Sequence, residues 1–195
     1  MTIARTGDTQ RSPHLPPEKP SVLLPEDTRA SGADQRQLSL ALLASGEPAA
    51  QGARRFIEAR YLQMFGAHAP VRYPNLLVLT DRQGRTEAAL GLRRACEGPL
   101  FLEHYLAVPA EDAIAGLTGF APGRDGLVEL GGFAARSSRA ATYLVTAMAA
   151  YMHHQGYTHA LVTSTGRLRR LFAMFEFDLR CLGDAHRHAL PDGGR

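Results

Sequence analysis

The sequence is poor in the residues that carry metal or disulfide chemistry. Its two cysteines, Cys96 and Cys181, belong to no CxxC or Cys/His pattern. This spacing predicts no zinc site, and the eight histidines show no ligand spacing either, so no metal is expected. Two reduced cysteines that pack as small hydrophobes are the expected state, and a disulfide between them is the alternative.

Lysine and long apolar runs are also scarce. Lys19 is the only lysine, and arginine supplies most of the positive charge behind a formal net charge of +3. This small charge indicates no nucleic-acid partner, while arginine forks suit phosphates and carboxylates. The N-terminus has no apolar stretch typical of a secretory signal. The longest apolar run, residues 140–152, is shorter than the roughly 20 residues that span a bilayer. We therefore expect a cytoplasmic protein without a transmembrane segment.

Composition divides the 195 residues into three parts. Residues 1–36 hold five of the 12 prolines and few apolar residues, which predicts a disordered leader. Residues 37–183 form the predicted folded domain, and residues 184–195 form a polar tail. A domain of about 150 residues buries enough surface for a core without disulfides or metals.

Hydrophobic periodicity in the domain alternates between strand-like and helix-like spacing. Pro48 and Pro109 are expected to open helices, and Gly66 and Gly156 to end them. The order predicts an α/β (α+β) fold with a mixed central sheet flanked by helices. Predicted strands or extended segments are 37–43, 76–80, 87–93, 98–106, 126–135, 159–165 and 177–182; predicted helices are 48–66, 109–119, 138–156 and 166–175.

Within residues 128–177, a strand ends in a turn of small residues that leads directly into a helix. The first amides of a helix have no internal acceptor, so this arrangement suits a phosphate. Arg136 and Arg139 would add charge-assisted hydrogen bonds, and Ser138 is the expected helix cap. The alternative is an ordinary helix start with two solvated arginines. The predicted cofactor-binding residues are Phe133, Ala134, Ala135, Arg136, Ser137, Ser138, Arg139, Ala140 and Ala141.

The same block resembles the GNAT N-acyltransferase superfamily. The superfamily signature Gln/Arg-x-x-Gly-x-Gly/Ala stands here as residues 136–141, with Arg139 at the first Gly position. A later signature, A-x-x-L-Y-x-x-x-G-F, resembles "LRRLFAMFEF", with Phe172 at the Tyr position and Glu176 at the Gly position.

Longer stretches resemble the thermostable hemolysin family over roughly residues 37–182. That family is similar to acyl-homoserine-lactone synthases, which are GNAT-like enzymes that use acyl-carrier-protein thioesters. The synthase motif Glu-x-x-Arg-Phe aligns with Glu129 and Phe133, while Gly132 stands at the Arg position. The stretches are "FIEARYLQMFGA" (56–67), "ALGLRRACEGPLFLEHYL" (89–106), "VELGGFAARSS" (128–138) and "VTST" with the "LRRLF" that follows it.

These resemblances imply an enzyme that moves an acyl group from an acyl-carrier-protein or coenzyme A thioester to an amine of a small molecule. Such a product would serve as a signal or secondary metabolite. The thioester would be a co-substrate, with no tightly bound cofactor. Two alternatives remain: a membrane-active, haemolysin-like protein, and an inactive GNAT-like binding module, which Gly132 and Phe172 would allow. The sequence carries no signal for the oligomeric state.

Three residues are candidates for catalysis. Glu129 lies in an otherwise apolar strand, where half-burial would raise its pKa toward neutral pH, so it is the first candidate base. Glu103 is the second, and Tyr105 would share its face of an extended segment. The alternative for each carboxylate is a structural ion pair, with Arg93 or Arg94 as partner.

The predicted helix 166–175 has a basic side. Its spacing directs leucines and phenylalanines inward and leaves Arg167 and Arg170 on a solvated face. An acidic acyl carrier protein would find a complementary surface there, and simple solvation is the alternative.

Overall fold

The computed structural model describes residues 2–5 and 38–190. Over these ranges the chain forms one seven-stranded sheet in the order β2-β3-β4-β5-β6-β1-β7. The strands are β1 (Thr2–Arg5), β2 (Ser39–Ala44), β3 (Asn75–Thr80), β4 (Thr86–Arg94), β5 (Leu127–Ala135), β6 (His159–Val162) and β7 (Asp178–Cys181). The helices are α1 (Pro48–Phe65), α2 (Ala110–Thr118), α3 (Ser138–His154) and α4 (Gly166–Ala173).

The sheet is mixed, which confirms the predicted α/β (α+β) class. Strands β5 and β6 run parallel, joined by the crossover helix α3. Strand β1 is antiparallel to both β6 and β7, and β2 is antiparallel to β3. A parallel pair needs a long connection, and α3 supplies it here.

Backbone contacts divide the chain into two compact units, and β4, β5 and α3 contribute residues to both. Among the described residues, the first unit comprises 2–5, 92–131 and 148–190. In its core, α2 packs on the start of β5 and on β6 because its apolar residues recur at helical spacing. The buried members are Ala95, Leu100, Leu102, Ala110, Ile114, Leu127 and Leu161.

Among the described residues, the second unit comprises 38–91 and 132–147. Its core joins one face of α1 to β3, β4 and the end of β5. Small residues on α1 allow the helix backbone to approach the sheet closely. The buried members are Ala50, Ala53, Ile57, Val71, Leu76, Val78, Ala89 and Ala134.

The predicted helix ends are present in α1 and α3. Pro48 lies in the first turn of α1, and Gly66 ends it with a φ of 63° while its N–H donates to the carbonyl of Leu62. The start of α3 differs from the prediction. Ser137, not Ser138, caps the helix, because its Oγ accepts from the N–H of Ala140 at 3.1 Å.

The segment 98–106 is not extended as predicted, since Phe101–Tyr105 form a 3₁₀ helix. The amides that a strand would pair with a neighbour are instead bound by carboxylates. Glu103 accepts from the N–H of Leu100, and Glu129 accepts from those of Phe101 and Leu102. Such side-chain bonds compete with ladder formation.

The predicted disordered leader also has an exception at its start. Residues 2–5 form β1, which lies between β6 and β7, and the Oγ1 of Thr2 is 3.1 Å from the Oγ of Ser164. The rest of the leader, Met1 and residues 6–36, lies outside the described residues. Within the described ranges, no helix has the length and apolarity that crossing a membrane requires.

Candidate active site

Glu129 is buried within β5 and has its carboxylate fully engaged. The residue is only 2% exposed. One oxygen accepts from the N–H of Phe101 at 2.8 Å and the other from the N–H of Leu102 at 3.1 Å. Burial raises the pKa of Glu129, and these amides and the charge of Arg93 reduce that rise without cancelling it. The predicted half-burial is thus an underestimate, while a raised pKa is what the sequence predicted.

Glu103 lies in the 3₁₀ helix and pairs with Arg124, whereas Arg94 pairs with Glu97. The Nη1 of Arg124 is 2.9 Å from one carboxylate oxygen of Glu103. The same oxygen accepts from the N–H of Ala110, which ties the segment to the start of α2. Burial alone would raise the pKa of Glu103, but these hydrogen bonds outweigh it and hold the pKa below its usual value.

Arg124 is the residue that the sequence reasoning missed. Its guanidinium donates to Glu103, to Glu111 at 2.6 Å, and to the carbonyls of Ala95 and Gly98 at 3.0 Å each. One side chain therefore joins the loop after β4, the 3₁₀ helix and α2. It precedes β5 in "PGRDG", a stretch whose turn-like composition conceals it.

The structure brings Glu103, Tyr105 and Glu129 close enough to influence one another. The charge of Glu103 contributes to the raised pKa of Glu129. Burial, followed by the charge of Glu129, raises the pKa of Tyr105. The predicted shared strand face of Glu103 and Tyr105 is wrong, because both lie in the 3₁₀ helix. Because the pKa of Tyr105 is raised, its side chain remains a protonated phenol at neutral pH and can donate a proton.

A cavity of about 480 Å³ opens beside Glu103, whereas neither Glu129 nor Tyr105 lines it. Prolines and aliphatic side chains form one wall, and the Glu103–Arg124–Glu111 group forms the polar part. The other lining residues are Gly98, Pro99, Leu106, Ala107, Val108 and Pro109.

The turn after β5 has the geometry of an exposed helix start. The N–H of Arg136 bonds the carbonyl of Glu87 at 2.9 Å, which ends the strand. Ser137 then caps α3. Among the described residues, the amides of Ser138 and Arg139 have no acceptor. These are the donors that a helix offers to an anion.

The two arginines of the turn are held differently. The Nε of Arg136 donates to the carbonyl of Thr86 at 2.7 Å, and its guanidinium lies 5.2 Å from the centroid of the Phe56 ring. Arg139 is exposed and lies over the ring of Tyr143, one helical turn ahead, at 5.5 Å. Arg136 is therefore held by the backbone of the neighbouring strand, whereas Arg139 contacts only a side chain of its own helix among the described residues.

Strand β5 continues beyond its parallel partner. The ladder with β6 ends at the pair Leu130–Val162, where β6 also ends, whereas β5 runs on to Ala135. Backbone groups at this edge, from Gly131 to Ala135, have no β6 residue to bond. Of these residues Ala134 is buried and the other four are half-buried.

Gly132 has a backbone conformation that explains its place in β5. Its φ is 61°, a left-handed value that residues with a Cβ adopt at a cost. A Cβ there would meet only ordinary contacts, the nearest with Ile57 at 3.5 Å. The conformation, not crowding, therefore selects glycine where the synthase motif has Arg. A left-handed glycine inside a strand is typical of a bulge.

Two further groups bear on the chemistry. Phe172, at the superfamily's Tyr position, is buried on α4, 5.9 Å from Phe177 between ring centroids, and supplies no proton donor. Cys96 and Cys181 are both free and exposed. Within residues 2–5 and 38–190, no group of three or more metal-ligating side chains comes together.

The mixed sheet, the β5–α3–β6 crossover and the helix start after β5 define the fold as GNAT-like, in agreement with the predicted resemblance. The crystal structure of the AHL synthase LasI matches with a TM-score of 0.56 and 12% identity, over 76% of this chain and 82% of that one. A structure of TofI in complex with an inhibitor and MTA has a TM-score of 0.47 at 16% identity (69% and 77% covered). A Lactobacillus plantarum protein described as an N-acetyltransferase matches with a TM-score of 0.46 and 16% identity, over 70% of this chain and 82% of that one.

Residues 43–195 match the family model described as "Thermostable hemolysin". This match covers most of the chain, which therefore belongs to the thermostable hemolysin family. No curated protein matches the sequence.

Proposed function

We propose that this chain is an N-acyltransferase that takes an acyl group from an acyl-carrier-protein or coenzyme A thioester and transfers it to an amine of a small molecule. The observation that supports this best is the end of β5. The strand runs past β6 and leads directly into a helix whose first amides have no acceptor. A pantetheine arm and its phosphate need both features in sequence: an open strand edge and then a helix N-terminus.

The proposed donor site uses backbone groups more than side chains. The amides of Ser138 and Arg139 would bind the phosphate, and Arg139 would add a charge-assisted bond. The N–H of Phe133 or Ala134 would donate to the thioester oxygen as it becomes negative. One preorganised donor of this kind is worth about 3 kcal/mol in the transition state.

The proposed reaction needs one base and tolerates the lack of a strong acid. The amine nitrogen attacks the thioester carbonyl carbon, a C–N bond forms, and the C–S bond breaks. The proton of the amine goes to the base, and the thiolate leaves. A thiol with a pKa of about 8.5 is a tolerable leaving group without a strong acid. Tyr105, protonated at neutral pH, is the proposed donor to the thiolate.

Of the two carboxylates, Glu129 suits the base better. Burial raises its pKa toward neutral pH, whereas Arg124 and two amides lower that of Glu103. Both oxygens of Glu129 already accept amide hydrogen bonds. The amine would therefore reach it through a water molecule or a local opening at Phe101 and Leu102.

Both carboxylate oxygens of Glu129 are occupied by hydrogen bonds within the protein, which favours a second candidate function. In it the chain is an inactive GNAT-like module that binds thioesters. In that role Glu129 only fixes the 3₁₀ helix to β5. Phe172 in place of a tyrosine and Gly132 in place of an arginine agree with this function.

Mass spectrometry of the full chain mixed with acyl thioesters and a panel of amines tests the proposal. We expect an acylated amine from the wild type, and at least a tenfold higher Michaelis constant for the thioester in Arg139→Ala, as loss of a charge-assisted bond predicts. Arg82→Ala, which changes an exposed arginine in the β3–β4 turn, is the matched control. Thioester binding without turnover would establish the binding module instead. Lysis of pure lipid vesicles without a thioester, and no acylation, would indicate a membrane-active protein.

A further inference from the structure

Strand β2 forms one edge of the sheet and carries nothing that would block a further strand. Its six residues, Ser39–Ala44, include no charged residue and no proline. The strand at the other edge, β7, is shorter and bears Asp178 and Arg180, which are exposed and pair with each other at 2.9 Å. Charges on a short strand are a usual protection against edge-to-edge association. Among the described residues, the β2 edge lacks this protection.

Hydrogen bonds around β2 show which of its backbone groups point away from β3. The N–H of Ser45 donates to the carbonyl of Pro74 at 2.8 Å, so the backbone of Ser45 is directed at β3. Backbone groups alternate in direction along an antiparallel strand. The N–H and carbonyl groups of Ala44, Leu42 and Leu40 are therefore directed outward.

Only two residues of β2 keep their outward groups open. Glu47 closes those of Ala44, because its carboxylate accepts the N–H of Ala44 at 3.0 Å and its own N–H donates to the carbonyl of Ala44 at 3.0 Å. The outward groups of Leu40 and Leu42 have no hydrogen-bond partner in the part of the chain that the structure describes. Such a row of unpaired groups is a template for another strand.

The side chains of the same two leucines lie on one face of β2, since alternate residues of a strand share a face. Leu40 and Leu42 are half-buried, whereas Leu79 and Leu77, directly opposite them on β3, are 0% and 1% exposed. The burial of this face therefore decreases toward the edge. A further strand with apolar residues at matching positions would complete it.

We propose that two copies of this chain pair through their β2 strands, which run antiparallel about a two-fold axis at Ala41. In this register Leu40 of one copy lies opposite Leu42 of the other, and the two residues exchange both N–H···O hydrogen bonds. The axis repeats the exchange, so four hydrogen bonds form and every open group of the two leucines is used. Ala41 faces its own copy at the closest Cα spacing, which its small side chain allows. This proposal does not depend on the acyltransferase function.

The neighbouring symmetric registers use the open groups less completely. An axis at Leu42 would place Leu40 opposite Ala44, whose groups are already bonded to Glu47. An axis at Leu40 would place Leu42 opposite Leu38, which precedes the strand. The β2 edge thus matches its own reverse in one register, and this match favours a second copy over an unrelated strand.

Sedimentation of the full chain over a range of concentrations tests the proposal, and we expect a dimer. Leu42→Pro removes an outward N–H and leaves the bonds to β3, and an edge strand tolerates proline at such a position. Each dimer loses two hydrogen bonds, so its dissociation constant should rise at least about tenfold. Leu42→Ala removes the side chain, keeps the N–H and should have a smaller effect. Circular dichroism of each variant checks that the strand content is unchanged.

A cysteine at the axis tests the register. In a Cys96→Ser/Cys181→Ser background, Ala41→Cys should form a disulfide between copies, because a Cα separation of about 4.5 Å lies within the range that disulfides span. Ser39→Cys, on the same face of the same strand, is the matched control. The two copies of residue 39 would lie roughly 14 Å apart, so they should not form a disulfide.

Two results would overturn the proposal. One is a chain that sediments as a monomer at every concentration, which would show that the β2 edge does not bind a second copy. The other is a dimer that Leu42→Pro leaves intact, or in which Ala41→Cys forms a disulfide no more readily than Ser39→Cys. That result would place the interface elsewhere on the surface.

Discussion

Replacing the half-buried Arg124 with Ala should destabilise the protein more than replacing any exposed arginine. Its guanidinium bonds two carboxylates and two carbonyls, and the side chain is 30% exposed. Removing one partner of a fully buried ion pair costs about 3–5 kcal/mol, and solvent would screen part of that here. We therefore expect a loss of about 2–3 kcal/mol in the free energy of unfolding.

Urea and thermal unfolding at neutral pH measure this loss. For a chain of this size, 1 kcal/mol corresponds to roughly 2–4 °C, so the midpoint should fall by about 4–12 °C. Arg82→Ala is the control and should stay within about 0.5 kcal/mol of wild type. A double-mutant cycle with Glu103→Gln should give a coupling of about 1–2 kcal/mol, because the two side chains share hydrogen bonds.

An Arg124→Ala protein that unfolds at the same temperature as Arg82→Ala would contradict this role of Arg124. Additive effects of the Arg124 and Glu103 substitutions would contradict it too, since the pair would then contribute nothing beyond its separate contacts. In either case the 3₁₀ helix would owe its position to Glu129 and to apolar packing.

Three further predictions concern the pH dependence set by Glu129, the cap of α3 and two glycines. The pKa of Glu129 is raised in the folded state. Its contribution to stability is therefore fully present below about pH 4.5 and is lost as the pH rises through the folded-state pKa. Urea unfolding from pH 4 to 8 should show this fall in stability in wild type and not in Glu129→Gln. Ser137→Ala should lose about 1 kcal/mol by removing the cap of α3, whereas Ser138→Ala should be nearly neutral in thermal unfolding, and equal losses would contradict the assignment. Gly132→Ala should cost about 1–2 kcal/mol for its positive φ, while Gly52→Ala, in open space within α1, should stabilise the protein by about 0.5–1 kcal/mol in the same assay.

Elements with a strong apolar period could be predicted from the sequence. The buried face of α3, with Leu144, Val145, Met148 and Met152, follows from 3.6-residue spacing. The β3–β4 hairpin follows from two apolar strands around a polar turn, where Asp81 accepts from the amides of Gln83 and Arg85. These are local signals, read from neighbours in the chain.

The 3₁₀ helix at Phe101–Tyr105 could not be predicted in this way. Its apolar and aromatic composition is typical of a strand. What overrides that preference is Glu129, 28 residues from Phe101 in the chain, whose carboxylate accepts the amides that a strand would use. No local pattern in the sequence contains a contact over that distance.

The sequence by itself determined the order of the helices and strands from β2 to β7, apart from the 3₁₀ helix at Phe101–Tyr105. It also determined the helix ends at Pro48 and Gly66, and the turn that leads from β5 into α3. Each depends on propensity, on backbone conformation or on spacing within a few residues. Only the tertiary structure decided that Arg124 joins Glu103 and Glu111, and that β5 extends past the last residue of β6. The physical reason is that hydrogen bonds between charged groups depend on which distant segments meet, and burial of the surrounding apolar residues is what brings those segments together.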